Sequence, residues 1–161
     1  MRIAVLTASD RCAAGITEDK SGPLLRELLE NEGYTVIAVA LVPDEKEKIA
    51  AALIRFADEE QADVVFTTGG TGFAPRDVTP EATKDVVDRE VPGIPEAIRY
   101  ESLKITNRAM LSRATAGIRG KTLIVNLPGS PKAVRESLAV VLPVLPHAVE
   151  TLSGQTQSCA R

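Results

Sequence analysis

At 161 residues the chain fits one core of roughly 100–200 residues, and its 44% hydrophobic content is enough to fill it. Charged residues make up 25%, with both signs interspersed and a net charge of −3, so no block of cations is present to track a nucleic-acid backbone. The one histidine, His147, and two distant cysteines, Cys12 and Cys159, match no metal-ligand or C-x-x-C spacing. They argue against Ser-His-Asp, Cys-His and zinc chemistry, and the thiols read as reduced and incidental, in keeping with a cytoplasmic protein.

The opening MRIAVLTAS is apolar but too short to span a bilayer, so it reads as a first strand and not as a signal, with no membrane partner expected. Ser9-Asp10-Arg11 and Gly15 follow as a polar loop. Leu24, Leu25, Leu28 and Leu29 then keep a helical period, which Gly33 ends. Ile3–Leu6, Val36–Val42, Val64–Phe66 and Leu123–Val125 are continuous apolar runs without polar alternation, as expected of parallel strands covered on both faces. Asp44 with Glu47 fits a capping box for a second helix carrying Ile49, Leu53 and Phe56. Thr79-Pro80 and Ser130-Pro131 each place a capping residue before a proline at a helix start. From Val91 to Gly120 the pattern suits a helix and a short hairpin equally. The last helix carries Val134, Leu138, Val141 and Leu142, and Pro143 and Pro146 should kink or divide it. Strand and helix alternate throughout, which implies right-handed crossovers and an α/β fold, a three-layer α/β/α sandwich with a mostly parallel central sheet in one unit spanning 1–161.

Ligands of such sheets bind beyond the carboxyl ends of the strands, where the loops after Leu6, Phe66 and Val125 are rich in Gly, Ser, Thr, Asp and Asn. Thr67-Thr68-Gly69-Gly70-Thr71-Gly72 can turn sharply and aim bare N–H groups at an anion, though a tight strand-to-helix turn explains it as well. It is neither a Walker A loop nor G-x-G-x-x-G. The continuation Arg76-Asp77-Val78-Thr79-Pro80-Glu81 sets a cation and a carboxylate before a helix start, where partial positive charge also gathers. Asp77 suits a Mg²⁺ ligand, and an Arg76–Asp77 surface pair is the alternative. Asp44 is explained locally by its cap; facing the same cleft as Asp77, it would complete a carboxylate pair able to hold magnesium against a triphosphate. Asn126 and Leu127-Pro128-Gly129-Ser130-Pro131 offer either a nucleotide cradle or an ordinary connector.

SDR, VPDE, TTGGTGFAPRDVTPEAT, ESLKIT, MLSRATAGIRG and NLPGSPKAV stand in the order and spacing of the molybdopterin adenylyltransferases. The chain resembles the MogA/MoaB family over nearly its whole length, and from Gly69 through His147 it is similar to the G domains of gephyrin and of its plant counterpart. The resemblance implies molybdenum cofactor biosynthesis by Mg²⁺-dependent transfer of AMP from ATP to the terminal phosphate of molybdopterin, with release of pyrophosphate. It makes Asp44 and Asp77 the required carboxylates and magnesium contacts. Gly69, Gly70, Thr71, Gly72, Asn126, Pro128, Gly129 and Ser130 fall on the nucleotide and phosphate side, and Thr71, Ser102, Ser112 and Arg113 on the molybdopterin side, with Arg113 and Lys132 as anion partners. Plant G domains carry Asn-Pro-Asn where this chain has Ser130-Pro131-Lys132. The family fold is the same three-layer sandwich, assembled as a homotrimer or, in MoaB-type members, a hexamer, with hand-over to a molybdenum-insertion protein. A non-catalytic MoaB-type molybdopterin-binding or scaffold protein is the alternative.

Overall fold

The structure is a computed structural model that describes residues 1–154; Cys159 lies outside the described residues. Six strands form one sheet in the order β2-β1-β3-β6-β5-β4. β1 (Arg2–Ala8), β2 (Thr35–Val42), β3 (Val64–Thr68) and β6 (Thr122–Leu127) run parallel, while β5 (Ala116–Arg119) and the two-residue β4 (Arg89–Glu90) add an antiparallel margin. The helices are α1 (Asp10–Ala13), α2 (Ser21–Asn31), α3 (Lys46–Ile54), α4 (Thr79–Val86), α5 (Gly93–Leu103), α6 (Pro131–Val141) and α7 (Leu145–Ser153). Among the described residues no helix is long and apolar enough to cross a membrane.

Alternation along the strands divides the apolar residues between two layers. Ile3, Val5, Val64, Phe66, Leu123, Val125 and Leu127 pack with Leu25 and Leu29 of α2, Ile98 of α5, Val134 and Leu138 of α6, and Leu145 of α7. Ala4, Leu6, Val65 and Ile124 pack on the other face with Ile49 and Leu53 of α3, Phe56 of the π turn that extends it, and Ala82 and Val86 of α4. This is the three-layer arrangement expected from the apolar runs. The 91–120 stretch holds both of its candidate structures: α5, and then β5, which turns back on β6 through Gly120 at φ +55°. Gly33, at φ +82°, follows the last turn of α2. A 3-10 turn over Leu142–Val144 separates α6 from α7 at the two prolines.

Three local expectations are corrected. β2 is the outer strand of the sheet and is not covered on both faces: Val39 and Leu41 are 47% and 41% exposed. Asp44 does not cap α3, whose N-cap is Glu45 without a side-chain hydrogen bond. Thr79 does not cap α4 either; it is the first helical residue, fully buried, with Val78 at the cap position. At Asp44 the local cap pattern is overridden by the bonds exchanged with Asp10, and Thr79 packs against Gly70, whose carbonyl accepts from the Thr79 N–H at 3.1 Å. Ser130 does cap α6, its hydroxyl accepting from the Ala133 N–H at 3.2 Å.

Candidate functional site

The chain leaves β1 for β2 on one side and returns to β3 on the other, so the loops after β1 and β3 part at the carboxyl edge of the sheet and open a crevice. A cavity of about 400 Å³ occupies it, lined by Thr7, Ser9, Asp19, Asp44, Gly69, Gly70, Asp77 and Gly129 among others. A second, of about 270 Å³, is lined by Thr71, Gly72, Ser102, Thr106, Ser112 and Pro128. The turn after β3 divides the two, with Gly69 and Gly70 facing the larger cavity and Thr71 and Gly72 the smaller. The loop after β6 divides likewise, with Gly129 on one side and Pro128 on the other.

The glycines of this wall are required by geometry. Gly69 and Gly70 stand at φ +95° and +63°, where a side chain is strained. A Cβ on Gly69 would overlap the Ala8 carbonyl, and one on Gly70 would overlap the Thr79 hydroxyl and stand 3.1 Å from Asp44 Oδ1. The Gly69 N–H is already spent on the Leu127 carbonyl at 3.3 Å. Among the described residues the N–H groups of Gly70, Thr71 and Gly72 make no internal hydrogen bond, so these are the donors left for an anion. Two hydroxyls brace the wall: Thr68 Oγ1 donates to the Pro128 carbonyl at 2.8 Å, and Ser21 Oγ to the Gly129 carbonyl at 2.6 Å.

Asp44 is held by a residue from another loop. Asp10 N–H donates to Asp44 Oδ2 at 2.8 Å, and Asp44 N–H donates back to Asp10 Oδ1 at 2.9 Å. Arg76 grips both Asp10 oxygens at 2.9 Å, so it pairs with Asp10 and not with the adjacent Asp77. That guanidinium holds the Asp10 carboxyl below its ordinary range. Asp44 Oδ1 is buried without a hydrogen-bond partner. Burial, with repulsion from Asp10 and Asp77, pushes the Asp44 carboxyl above its ordinary value despite the Asp10 N–H. Asp77 Oδ2 accepts from the Ala74 N–H at 2.9 Å and lines the larger cavity. Among the described residues no group of three or more His, Cys, Asp or Glu side chains is arranged to hold a metal ion.

Thr71, Ser102 and Ser112, far apart in sequence, meet in the smaller cavity. Four residues expected at the site are placed otherwise. Asn126 is fully buried: its amide donates to Thr67 and Thr83 hydroxyls at 3.0 and 2.9 Å and its oxygen accepts from the Thr115 N–H at 3.2 Å, so it braces the sheet edge beneath the wall. The Arg113 guanidinium donates to the Gly72 and Asp77 carbonyls and pairs with Glu81, so it fastens the 72–77 loop. Ser130 lines neither cavity, and Lys132 extends into solvent beside Glu136. Asp10 and Asp19 were not singled out by sequence as site residues; the SDR block and its polar loop were the only signal.

Fold and site together define an α/β protein with two cavities at the carboxyl edge of a mostly parallel sheet, the larger at its switch point. Residues 4–147 match a family model described as a probable molybdopterin binding domain. The chain is 47% identical over 156 residues to a molybdopterin adenylyltransferase of Helicobacter pylori, covering 96% of this chain and 89% of that one. It is 49% identical to the molybdenum cofactor synthesis protein cinnamon of Drosophila melanogaster, covering 98% of this chain and 26% of that longer protein. Among solved structures, the molybdopterin biosynthesis enzyme MoaB of Thermus thermophilus superposes with a TM-score of 0.90 at 50% identity, covering 98% and 99% of the two chains. The chain belongs to the MogA/MoaB family.

Proposed function

We propose that this chain acts in molybdenum cofactor biosynthesis as a molybdopterin adenylyltransferase, with Mg²⁺ and ATP in the larger cavity and molybdopterin in the smaller. The observation that carries the reading is the shared wall: the Gly69–Gly72 turn presents one half to each cavity, so two anionic substrates would meet across it. In the reaction a phosphate oxygen of molybdopterin attacks the α-phosphorus of ATP, and the bond to the β-phosphate breaks as pyrophosphate leaves. A phosphate monoester at neutral pH already carries nearly two negative charges, so the attacking oxygen needs no strong base, in keeping with a cleft lined by carboxylates, hydroxyls and backbone N–H groups. The residues' task is to place two repelling anions and to neutralise the leaving group.

The donor set fits magnesium. Asp44 Oδ1 is buried and unpartnered, Asp77 lines the same cavity, and a two-carboxylate site leaves the remaining positions to water and substrate phosphates. Bound there, the ion would neutralise charge on the phosphates. The N–H groups of Gly70, Thr71 and Gly72 supply uncharged donors beside it.

The cytoplasm, a homotrimer with a hexamer as the other assembly, and hand-over of product to a molybdenum-insertion protein belong to the same reading. Exposed Phe73, Tyr100, Met110 and Leu111 support self-association.

The test is incubation with molybdopterin, ATP and Mg²⁺ and detection of adenylylated product by mass. Product from the wild type and none from Asp77→Asn, with an unchanged circular dichroism spectrum, is the expected outcome. Pterin binding without product would identify a non-catalytic binder instead.

A further inference from the structure

Asp44 is not the only carboxylate of the larger cavity anchored through one oxygen. At the start of α2, Asp19 Oδ1 accepts from the N–H groups of Ser21 and Gly22, both at 3.0 Å, which leaves Oδ2 outside these bonds. Thr7, near the end of β1, is 4% exposed, yet its buried Oγ1 has no hydrogen-bond partner. Both residues line the cavity. Both oxygens pack against Gly22: a Cβ there would stand 2.5 Å from Thr7 Oγ1 and 2.5 Å from Asp19 Oδ2. Gly22 is helical and not left-handed, so close approach, and not backbone conformation, is what calls for glycine against its poor helix propensity.

A hydroxyl buried without a partner is costly, and in a cavity lining it marks where a ligand supplies the missing bond. The pair at hand is one carboxylate oxygen, which only accepts, and one hydroxyl, which donates and accepts. A phosphate is repelled by the carboxylate. A divalent cation finds too few oxygens in this pair. An amine would leave the Thr7 proton unmatched. An alcohol satisfies both, since it donates to the carboxylate while accepting from the threonine, and carboxylates take ribose hydroxyls in this way in other sheet-edge nucleotide sites.

We propose that Thr7 Oγ1 and Asp19 Oδ2 form a hydroxyl-reading subsite that takes a ribose hydroxyl of the nucleotide, in the same cavity that Asp44 and Asp77 line. The proposal rests on the larger cavity being the nucleotide site. It gives the chain a means of selecting ribonucleotides over deoxyribonucleotides that does not involve the phosphates.

The test compares ATP, 2′-deoxyATP, 3′-deoxyATP and purine riboside triphosphate with Mg²⁺, by calorimetric binding and by kcat/KM for adenylylation. The proteins are the wild type, Thr7→Val and Asp19→Asn; the asparagine keeps an oxygen for the Ser21 and Gly22 N–H groups and turns the other acceptor into a donor. The wild type is expected to favour ATP over one of the deoxy analogues by about 10–100-fold. Each variant is expected to bring ATP down to the level of that analogue without weakening the analogue itself. Because Thr7→Val removes an unpartnered hydroxyl, its melting temperature should not fall. Equal binding of ATP and both deoxy analogues by the wild type, an undiminished preference in both variants, or discrimination only against the triphosphate lacking the 6-amino group would each overturn the subsite. ATP binding that discriminates ribose but yields no adenylylated product would overturn the proposed activity and leave the subsite standing.

Discussion

The side chains at the carboxyl edge of the sheet differ in what they do for the fold. Asp44 weakens it: burial and two neighbouring carboxylates raise its pKa above the ordinary value. A carboxyl whose folded pKa is raised contributes stability below the unfolded pKa and loses it as pH rises through the folded one, so ionised Asp44 is a liability near neutrality. Asp44→Asn keeps an acceptor for the Asp10 N–H and removes the charge. It should raise the melting temperature on the order of 2 °C near pH 7, with the gain vanishing as pH falls into the carboxylate range, while turnover is lost. Scanning fluorimetry across pH reads this, and a lower melting temperature at pH 7 would count against it. Asn126 is the reverse case. Asn126→Ala leaves two buried threonine hydroxyls and the Thr115 N–H without partners and should cost about 1–3 kcal/mol by urea unfolding. ATP affinity of the folded protein should be unchanged, since Asn126 reaches neither cavity. A polar residue ending an apolar strand reads from sequence as a ligand contact, and only its three partners from other segments reveal it as a brace.

At the scale of elements, the loops after β1, β2 and β3 are joined by one side chain. Asp10 accepts from the Asp44 N–H and from Arg76 while its own N–H holds Asp44 Oδ2. The Arg76–Asp10 pair is exposed and screened by solvent, so its consequence lies in placement. Asp10→Ala should lower kcat/KM about 10–100-fold with little change in melting temperature, because misplacing Asp44 is costly where geometry carries the reaction. Asp10→Asn, which retains an oxygen for the Asp44 N–H, should recover part of the loss in the same assay. None of this is legible in the SDR block, since its partners lie 34 and 66 residues away. The strands and the helix periods were legible because burial imposes them locally. The edge position of β2 was not, because apolar content does not reveal which strand has only one neighbour; nor were the failed caps, where Asp44 is taken up by Asp10 and Thr79 by the Gly70 turn.

For the whole molecule, two apolar layers on one sheet leave a rim of exposed Phe73, Tyr100, Met110 and Leu111 in and beside the segments that line the smaller cavity. If these residues are covered by further copies, sedimentation should give three times the chain mass, or six times for the hexamer, and Met110→Glu should shift it toward the monomer. Assembly is implied by the family resemblance alone; the apolar periodicity of α5 does not distinguish a buried face from one that awaits a partner.

With a ligand on each side, the wall between the cavities would also couple the two thermodynamically. Whatever factor an occupant of one side adds to the affinity of the other, by stiffening Gly69–Gly72 or shifting the 128–131 loop, must be returned by the same factor in the opposite direction. The two left-handed glycines, Gly69 and Gly70, stand where such an exchange would pass, since a ligand on either side meets the same turn.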